Sequence, residues 1–253
     1  MTNNTFNSNI HEYASLNDTR PPYPYEQLAE AEFWIFDLDN TLYPAQCKLF
    51  TQIEKKMTQY VMEFLTLDHD EAFDVQKKYF KDHGTTMNGL MIHHNMDPQH
   101  YLDYVHQIDL SNVPKNPVLS STLAKLPGKK VIFTNGSTGH AENVINHLGI
   151  EQHFEGIFDI VDSQFIPKPA PSVYTSLIKQ FGIRPEKAVM VEDMAKNLRP
   201  AAAMGMTTVW VRTDSAWGIE DFSDSFVHHV VDDLTHWLTS LINPKQASTS
   251  PLV

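Results

Sequence analysis

Cysteine is nearly absent. Cys47 is the single one among 253 residues, which excludes an intramolecular disulfide framework and any cysteine-rich zinc site. Long apolar runs are missing too, and none approaches the ~20 residues that a membrane-spanning helix needs. The polar, Asn-rich start from Met1 to Arg20 has no positive segment leading into an apolar one, so it does not read as a secretory signal. Positive charge is scarce: 19 Lys and Arg face 31 Asp and Glu, a net charge of −12. A chain this acidic is expected to bind neither a nucleic acid polymer nor an anionic membrane face. An anionic substrate would then need a local positive feature such as a metal ion, a lysine or a helix N-terminus. Apolar residues make up 42% of the chain, enough for a buried core. These features lead us to expect a cytoplasmic enzyme. They do not give its oligomeric state.

What the chain does contain is a series of short apolar runs without strict alternation. They are Phe33–Phe36, Val131–Phe133, Ile157–Val161, Ala188–Val191 and Thr207–Val211. Such runs predict strands buried on both faces, as in a parallel sheet. Helical spacing separates most of them: Ala141, Val144, Ile145 and Leu148, then Tyr174, Leu177, Ile178 and Phe181. The alternation predicts an α/β fold with a Rossmann-like parallel sheet core. From Lys48 to Val113 no strand is predicted. Helical spacing recurs there at Leu49, Ile53, Met57, Tyr60, Val61 and Phe64, and further helices are expected over 68–82, 87–95 and 97–108. We therefore expect a flexible arm at 1–27 and a catalytic core at 28–47 and 114–242. An inserted all-helical cap domain would span 48–113, with a tail at 243–253. An insert just after a strand's C-terminal end would lie over the crevice where open α/β sheets bind ligands.

Polar groups cluster at the expected strand ends. Asp37 and Asp39 follow the first strand, and if the backbone stays extended their carboxylates share a side. Two such acids suit a hard divalent ion, Mg²⁺, bound with water and phosphate oxygens, although solvated strand-end aspartates are an equal reading. Thr134-Asn135-Gly136-Ser137 offers a hydroxyl and free N–H groups at a helix start, an anion site or an ordinary N-cap. Lys168 lies between Pro167 and Pro169 on a stiff loop, placed either to neutralise a phosphoryl oxygen or to face solvent. Glu192 and Asp193, with Asn197 one turn on, follow a later strand and could complete a metal site or complement a helix dipole.

The joint order of these groups resembles the four motifs of the haloacid dehalogenase superfamily, mostly Mg²⁺-dependent phosphatases, in its helical-cap subgroup. The resemblance spans residues 31 to 242. It implies that Asp37 is a nucleophile forming an aspartyl-phosphate and that Asp39 is the general acid and base. Thr134, Asn135 and Lys168 would bind the phosphoryl group. Asp37, Asp193 and the Asp39 carbonyl would bind Mg²⁺, with Glu192, acting through water, and Asn197 behind them. The second aspartate separates this chain from the superfamily's dehalogenases. Gly84–Leu90, Tyr104–Asp109, Asp37–Pro44 and Phe133–Ser137 look like the bacterial and fungal pyrimidine 5′-nucleotidases of the superfamily. That likeness implies hydrolysis of UMP and CMP. Thr85, Thr86 and Asn88 could hydrogen-bond a base or ribose, although a helix N-cap is an equal reading for the two threonines. The alternatives are a phosphoglycolate or sugar-phosphate phosphatase and, from another class, a non-catalytic binding protein. His106 with Asp109 is expected to brace the cap hinge. His93, His94, His100, His228 and His229 are expected on solvated faces, and Cys47 as a small buried thiol.

Overall fold

The computed structural model describes residues 28–243. The expected arm over 1–27 and nearly all of the expected tail lie outside the described residues. Six strands form one parallel sheet: β1 (Phe33–Phe36), β2 (Lys129–Phe133), β3 (Gly156–Phe158), β4 (Ala188–Glu192), β5 (Thr207–Val211) and β6 (His229–Val231). Their order is β3-β2-β1-β4-β5-β6, so β1 lies inside the sheet between β2 and β4. Phe36 pairs with both Ile132 and Val191. The C-terminal ends of the three strands therefore lie level, and the residues that follow share one edge.

The strands are apolar on both sides because both faces are covered. Trp34, Phe36, Ile132, Val189, Val191 and Val209 point to one face. There they meet α5 (Pro117–Lys125), α6 (Thr138–Leu148) and α9 (Leu234–Ile242) through residues such as Leu123, Val144 and Leu238. Phe33, Ile35, Val131, Phe133 and Met190 point to the other, against α7 (Pro171–Phe181) and α8 (Ala195–Ala203) through Tyr174, Leu177 and Leu198. The chain enters β2 through Gly128 at φ 79°, where an added Cβ would lie 2.5 Å from the Ala31 carbonyl. Only glycine fits that turn.

Between β1 and β2 lie α1 (Leu49–Leu65), α2 (His69–His83), α3 (Thr86–His94) and α4 (Pro98–Val105), ahead of α5. Asp68 and Glu71 form a capping box for α2, and Asp97 with Pro98 starts α4. The insert has its own apolar centre, including Ile53, Val61, Leu90, Tyr101 and Val105, which Ile160 reaches from the core.

Two sequence expectations need correction. The strand expected through Val161 stops at Phe158. Asp159 then folds its carboxylate back onto the N–H groups of Thr138, Val161 and Asp162 at 2.7–2.8 Å, which turns the chain. Strand β6 was not expected. His228 and His229, read as a solvated face, belong to a sheet edge where His229 pairs with Val209 and His228 Nδ1 accepts from the Thr208 N–H at 3.0 Å.

Candidate active site

The sheet edge collects Asp37, Thr134, Lys168, Glu192 and Asp193, all buried. The Asp37 N–H still donates to the Val191 carbonyl at 2.9 Å, so the residue is an extension of β1. The condition of an extended backbone through residue 39 is not met: the chain turns after Leu38, with Asn40 at φ 58°. Leu38 is drawn into the core, and asparagine tolerates the left-handed conformation. Asp37 and Asp39 nevertheless line the same cavity.

Lys168 is 2% exposed, not the surface lysine that its loop position allowed. Its Nζ donates to Asp37 Oδ1 at 2.7 Å and the Phe133 carbonyl at 2.8 Å, and lies 3.4 Å from Glu192 Oε1. Burial disfavours the ammonium, but Asp37 and Glu192 outweigh it and raise the Lys168 pKa. The loop is fixed by Asn135, whose Oδ1 accepts from the Lys168 N–H at 2.9 Å. Thr41 donates to the other Asp37 oxygen at 3.1 Å. Thr134 accepts from the Gly136 N–H at 2.9 Å.

On the β4 side, Asn197 donates to Glu192 Oε1, and Asn40 donates to Asp193 Oδ2 at 3.4 Å. Among the described residues, Glu192 Oε2 is buried without a hydrogen-bond partner. Burial, then the nearby Asp37, push the carboxyls of Glu192 and Asp193 well above the usual range. Asp37, Glu192 and Asp193 offer carboxylate oxygens that all lie within 4.8 Å of one another. One lysine does not balance these acids, and a hard cation among them would relieve the repulsion. The three acids differ from the set expected from the sequence in that Glu192 stands with Asp37 and Asp193.

Asp39 is outside this group of three and has its own partners. Its Oδ1 accepts from the Tyr43 hydroxyl at 2.5 Å and from His140 Nε2 at 3.0 Å. Burial raises the Asp39 carboxyl, but His140, Tyr43 and the more distant His106 outweigh it, so the net direction is down. His106 stacks on His140 with ring centres 4.4 Å apart and planes at 9°. Burial and the neighbouring His140 push the His106 imidazole down to about 3, so it is neutral near pH 7.

Above this edge lies a cavity of about 750 Å³ between the insert and the core. Phe50, Ile53, Met57, Phe73 and Phe80 of the insert and Trp217 of the core are among its walls. Phe80 and Trp217 meet edge to face at 5.2 Å.

A family model for haloacid dehalogenase-like hydrolases matches residues 34–205. The chain belongs to that family. Among curated proteins, Phosphate metabolism protein 8 of Saccharomyces cerevisiae is 29% identical over 205 residues, covering 74% of this chain but only 63% of that protein. Glyceraldehyde 3-phosphate phosphatase of Pyrococcus furiosus is 22% identical over 229 residues, 81% of this chain and 91% of that one. Among solved structures, a HAD phosphatase from Thermococcus onnurineus superposes with a TM-score of 0.56 at 18% identity, covering 87% of this chain and all of that one. The HAD-hydrolase YfnB from Bacillus subtilis, bound to magnesium, gives 0.55 at 15% identity, covering 84% and 99%. These structural likenesses speak for the fold.

Within this hydrolase two of the three cap candidates reach the cavity. Thr85 and Thr86 line the cavity, but Thr85 caps α3 by accepting from the Asn88 N–H at 3.0 Å, and Thr86 donates to the Gln76 carbonyl at 3.1 Å. Asn88 points back to the His83 carbonyl at 3.0 Å and is not among the cavity-lining residues. The expected His106–Asp109 brace does not form. His106 Nδ1 meets Ser137 Oγ at 2.9 Å across to the core, whereas Asp109 accepts from Ser111. His93 and His94 are exposed and meet His83 and Tyr79, while His100 meets Tyr60. Cys47 is half-buried beside the core.

Tyr43 and His140 escaped the sequence reading, and His106 was legible only as a hinge residue. The available signals were weak: Tyr43 lies four residues beyond Asp39, and His140 lies in the first turn of the helix after Thr134.

Proposed function

We propose that this hydrolase is a Mg²⁺-dependent phosphomonoesterase acting on pyrimidine nucleoside 5′-monophosphates such as UMP and CMP. One observation carries the reading: a buried Asp37–Lys168 pair and Asp39 share the floor of a cavity with large apolar walls. In the first step an Asp37 oxygen attacks phosphorus and the ester P–O bond breaks. Asp39 gives its proton to the departing alkoxide, leaving an aspartyl-phosphate on Asp37. In the second step Asp39 takes a proton from water as the water attacks phosphorus. The Asp37–phosphorus bond breaks and inorganic phosphate leaves. Lys168 and Thr134 hold the phosphoryl oxygens, and Lys168 offsets their charge.

The residues fit a magnesium ion, on the strength of the uncompensated acids and the unpartnered Glu192 oxygen. Asp37, Asp193 and the Asp39 carbonyl would hold it, with Glu192 behind them. It would supply charge neutralisation between Asp37 and the substrate dianion.

The walls favour a nucleoside over a smaller alcohol. A cavity of about 750 Å³ is far larger than a three-carbon phosphate needs, and Phe50, Phe80 and Trp217 offer faces for a base. A triose- or sugar-phosphate phosphatase is the second reading, favoured by archaeal relatives named for glyceraldehyde 3-phosphate. Phosphate release from UMP, CMP, AMP, glyceraldehyde 3-phosphate and phosphoglycolate, with Mg²⁺ or excess EDTA, decides between them. EDTA-sensitive release that favours UMP or CMP is expected. A preference for the small esters would overturn the nucleotide assignment.

A further inference from the structure

Asp39 can donate a proton to a leaving group only if the correct carboxyl oxygen carries it and faces the ester. The two oxygens are not equivalent here. Tyr43 and His140 both meet Oδ1, at 2.5 and 3.0 Å. An ionised carboxylate only accepts, so both partners present hydrogens to it. Among the described residues no side chain or backbone N–H donates to Oδ2, and Asp39 lines the cavity. With both lone-pair positions of Oδ1 engaged, a proton on Asp39 resides on Oδ2.

The two donors are themselves held. Tyr43 is fully buried in the core. His140 is 2% exposed, and its N–H donates to the helix-capping Ser137 Oγ at 3.3 Å. Its ring is pressed flat by His106, which sits at the end of α4 and is tied to the same Ser137. The space around the pair is filled: a Cβ on Gly136 would lie 3.3 Å from His140 Cδ2 and 3.6 Å from His106 Nε2. The insert thus supplies the outer ring of the stack and the core supplies the inner one.

We propose that Tyr43 and His140 are positioning residues that fix Asp39 with Oδ2 toward the leaving group, and that His106 carries the insert's seating on the core into this arrangement. The inference rests on the reading of Asp39 as general acid and base. It extends that reading by naming what aims the acid.

The test exploits leaving groups. An alkoxide such as a nucleoside 5′-oxygen needs the proton as it leaves, whereas 4-nitrophenolate does not. The ratio kcat/KM reports only steps through formation of the phosphoenzyme, whereas kcat includes the water attack that also uses Asp39. Tyr43→Phe, His140→Ala and His106→Ala are compared with wild type on UMP and 4-nitrophenyl phosphate, with glyceraldehyde 3-phosphate replacing UMP if the wild type prefers it. For Tyr43→Phe and His140→Ala, kcat/KM on the alkyl ester is expected to fall about 10- to 100-fold, and on the aryl ester less than about 3-fold. The turnover number kcat should fall on both esters. His106→Ala should show the same pattern at smaller amplitude. His140→Gln, which keeps an N–H donor, should recover most of the alkyl-ester loss. Equal losses of kcat/KM on the two esters would indicate a merely structural role and overturn the proposal, as would no loss on either. Asp39→Asn separates the acid role of Asp39 from its positioning. If Asp39→Asn itself fails to discriminate between the esters, the acid role of Asp39 is wrong. If it discriminates and the Tyr43 and His140 variants do not, only the positioning is wrong.

Discussion

Asp193→Asn removes one of three carboxylates whose oxygens lie within 4.8 Å of one another, while keeping the shape and an acceptor for Asn40. Two unit charges at that separation repel by roughly 3.5 kcal/mol at an effective dielectric constant of about 20. Lys168 offsets part of this, but the Asp193 carboxyl is still raised well above its usual range, by burial first and Asp37 second. A raised carboxyl favours folding while protonated and loses that contribution as pH rises through its folded pKa. In EDTA at pH 7.5, the substitution should therefore stabilise the protein by about 1–2 kcal/mol, or about 2–8 °C in Tm. The gain should shrink as pH falls toward the ordinary carboxylate range. Added Mg²⁺ should raise the wild-type Tm and leave the variant's nearly unchanged, while phosphatase activity falls at least about 10²-fold. Thermal melts across pH 5–8.5 with EDTA or Mg²⁺, beside an activity assay, test all of this. A variant less stable than wild type in EDTA at every pH would refute the electrostatic reasoning.

Lys168→Met should lower stability by about 3–5 kcal/mol, because Asp37 and Glu192 lose their buried counter-charge, and urea unfolding measures it. Activity should fall with it, and more Mg²⁺ should not restore it. The imidazole of His106, held at about 3, favours folding above its unfolded pKa near 6.5 and loses that contribution as pH falls toward 3. Its share of the acid destabilisation should follow a slope of about 1.4 kcal/mol per pH unit, which His106→Phe should flatten in urea midpoints from pH 6.5 to 4. Gly128→Ala should destabilise by more than about 1 kcal/mol without altering KM, since it meets the Ala31 carbonyl far from the cavity. Trp217→Ala should raise KM for UMP more than for 4-nitrophenyl phosphate, as steady-state kinetics would show.

Buried strands ending in polar residues made much of this fold legible from the sequence. Asp37, Thr134 and Asp193 each follow an apolar run, and parallel pairing brings such ends to one edge whatever the intervening chain does. Lys168 was legible in position but not in burial, because a loop lysine goes inside only when acids from two other strands await it. The pair of Tyr43 and His140 was not legible. Their meeting at Asp39 depends on a helix start 101 residues away in sequence, and no local pattern encodes it. Strand β6 was hidden for a different reason. Its residues are few and partly polar, and the edge of an existing sheet, not their own propensity, makes them a strand. The cap threonines had two equal readings in the sequence, and Thr85 takes the N-cap one while still lining the cavity.

We propose that Asp37 carries the phosphoryl group between the two half-reactions. Rapid acid quenching during turnover of a ³²P-labelled nucleoside monophosphate, followed by peptide mapping, tests it most directly. Transient label is expected on the peptide holding Asp37, none in Asp37→Asn, and label that accumulates when Asp39 is replaced and 4-nitrophenyl [³²P]phosphate is the donor. Full turnover with no label on that peptide, or undiminished activity in Asp37→Asn, would contradict it.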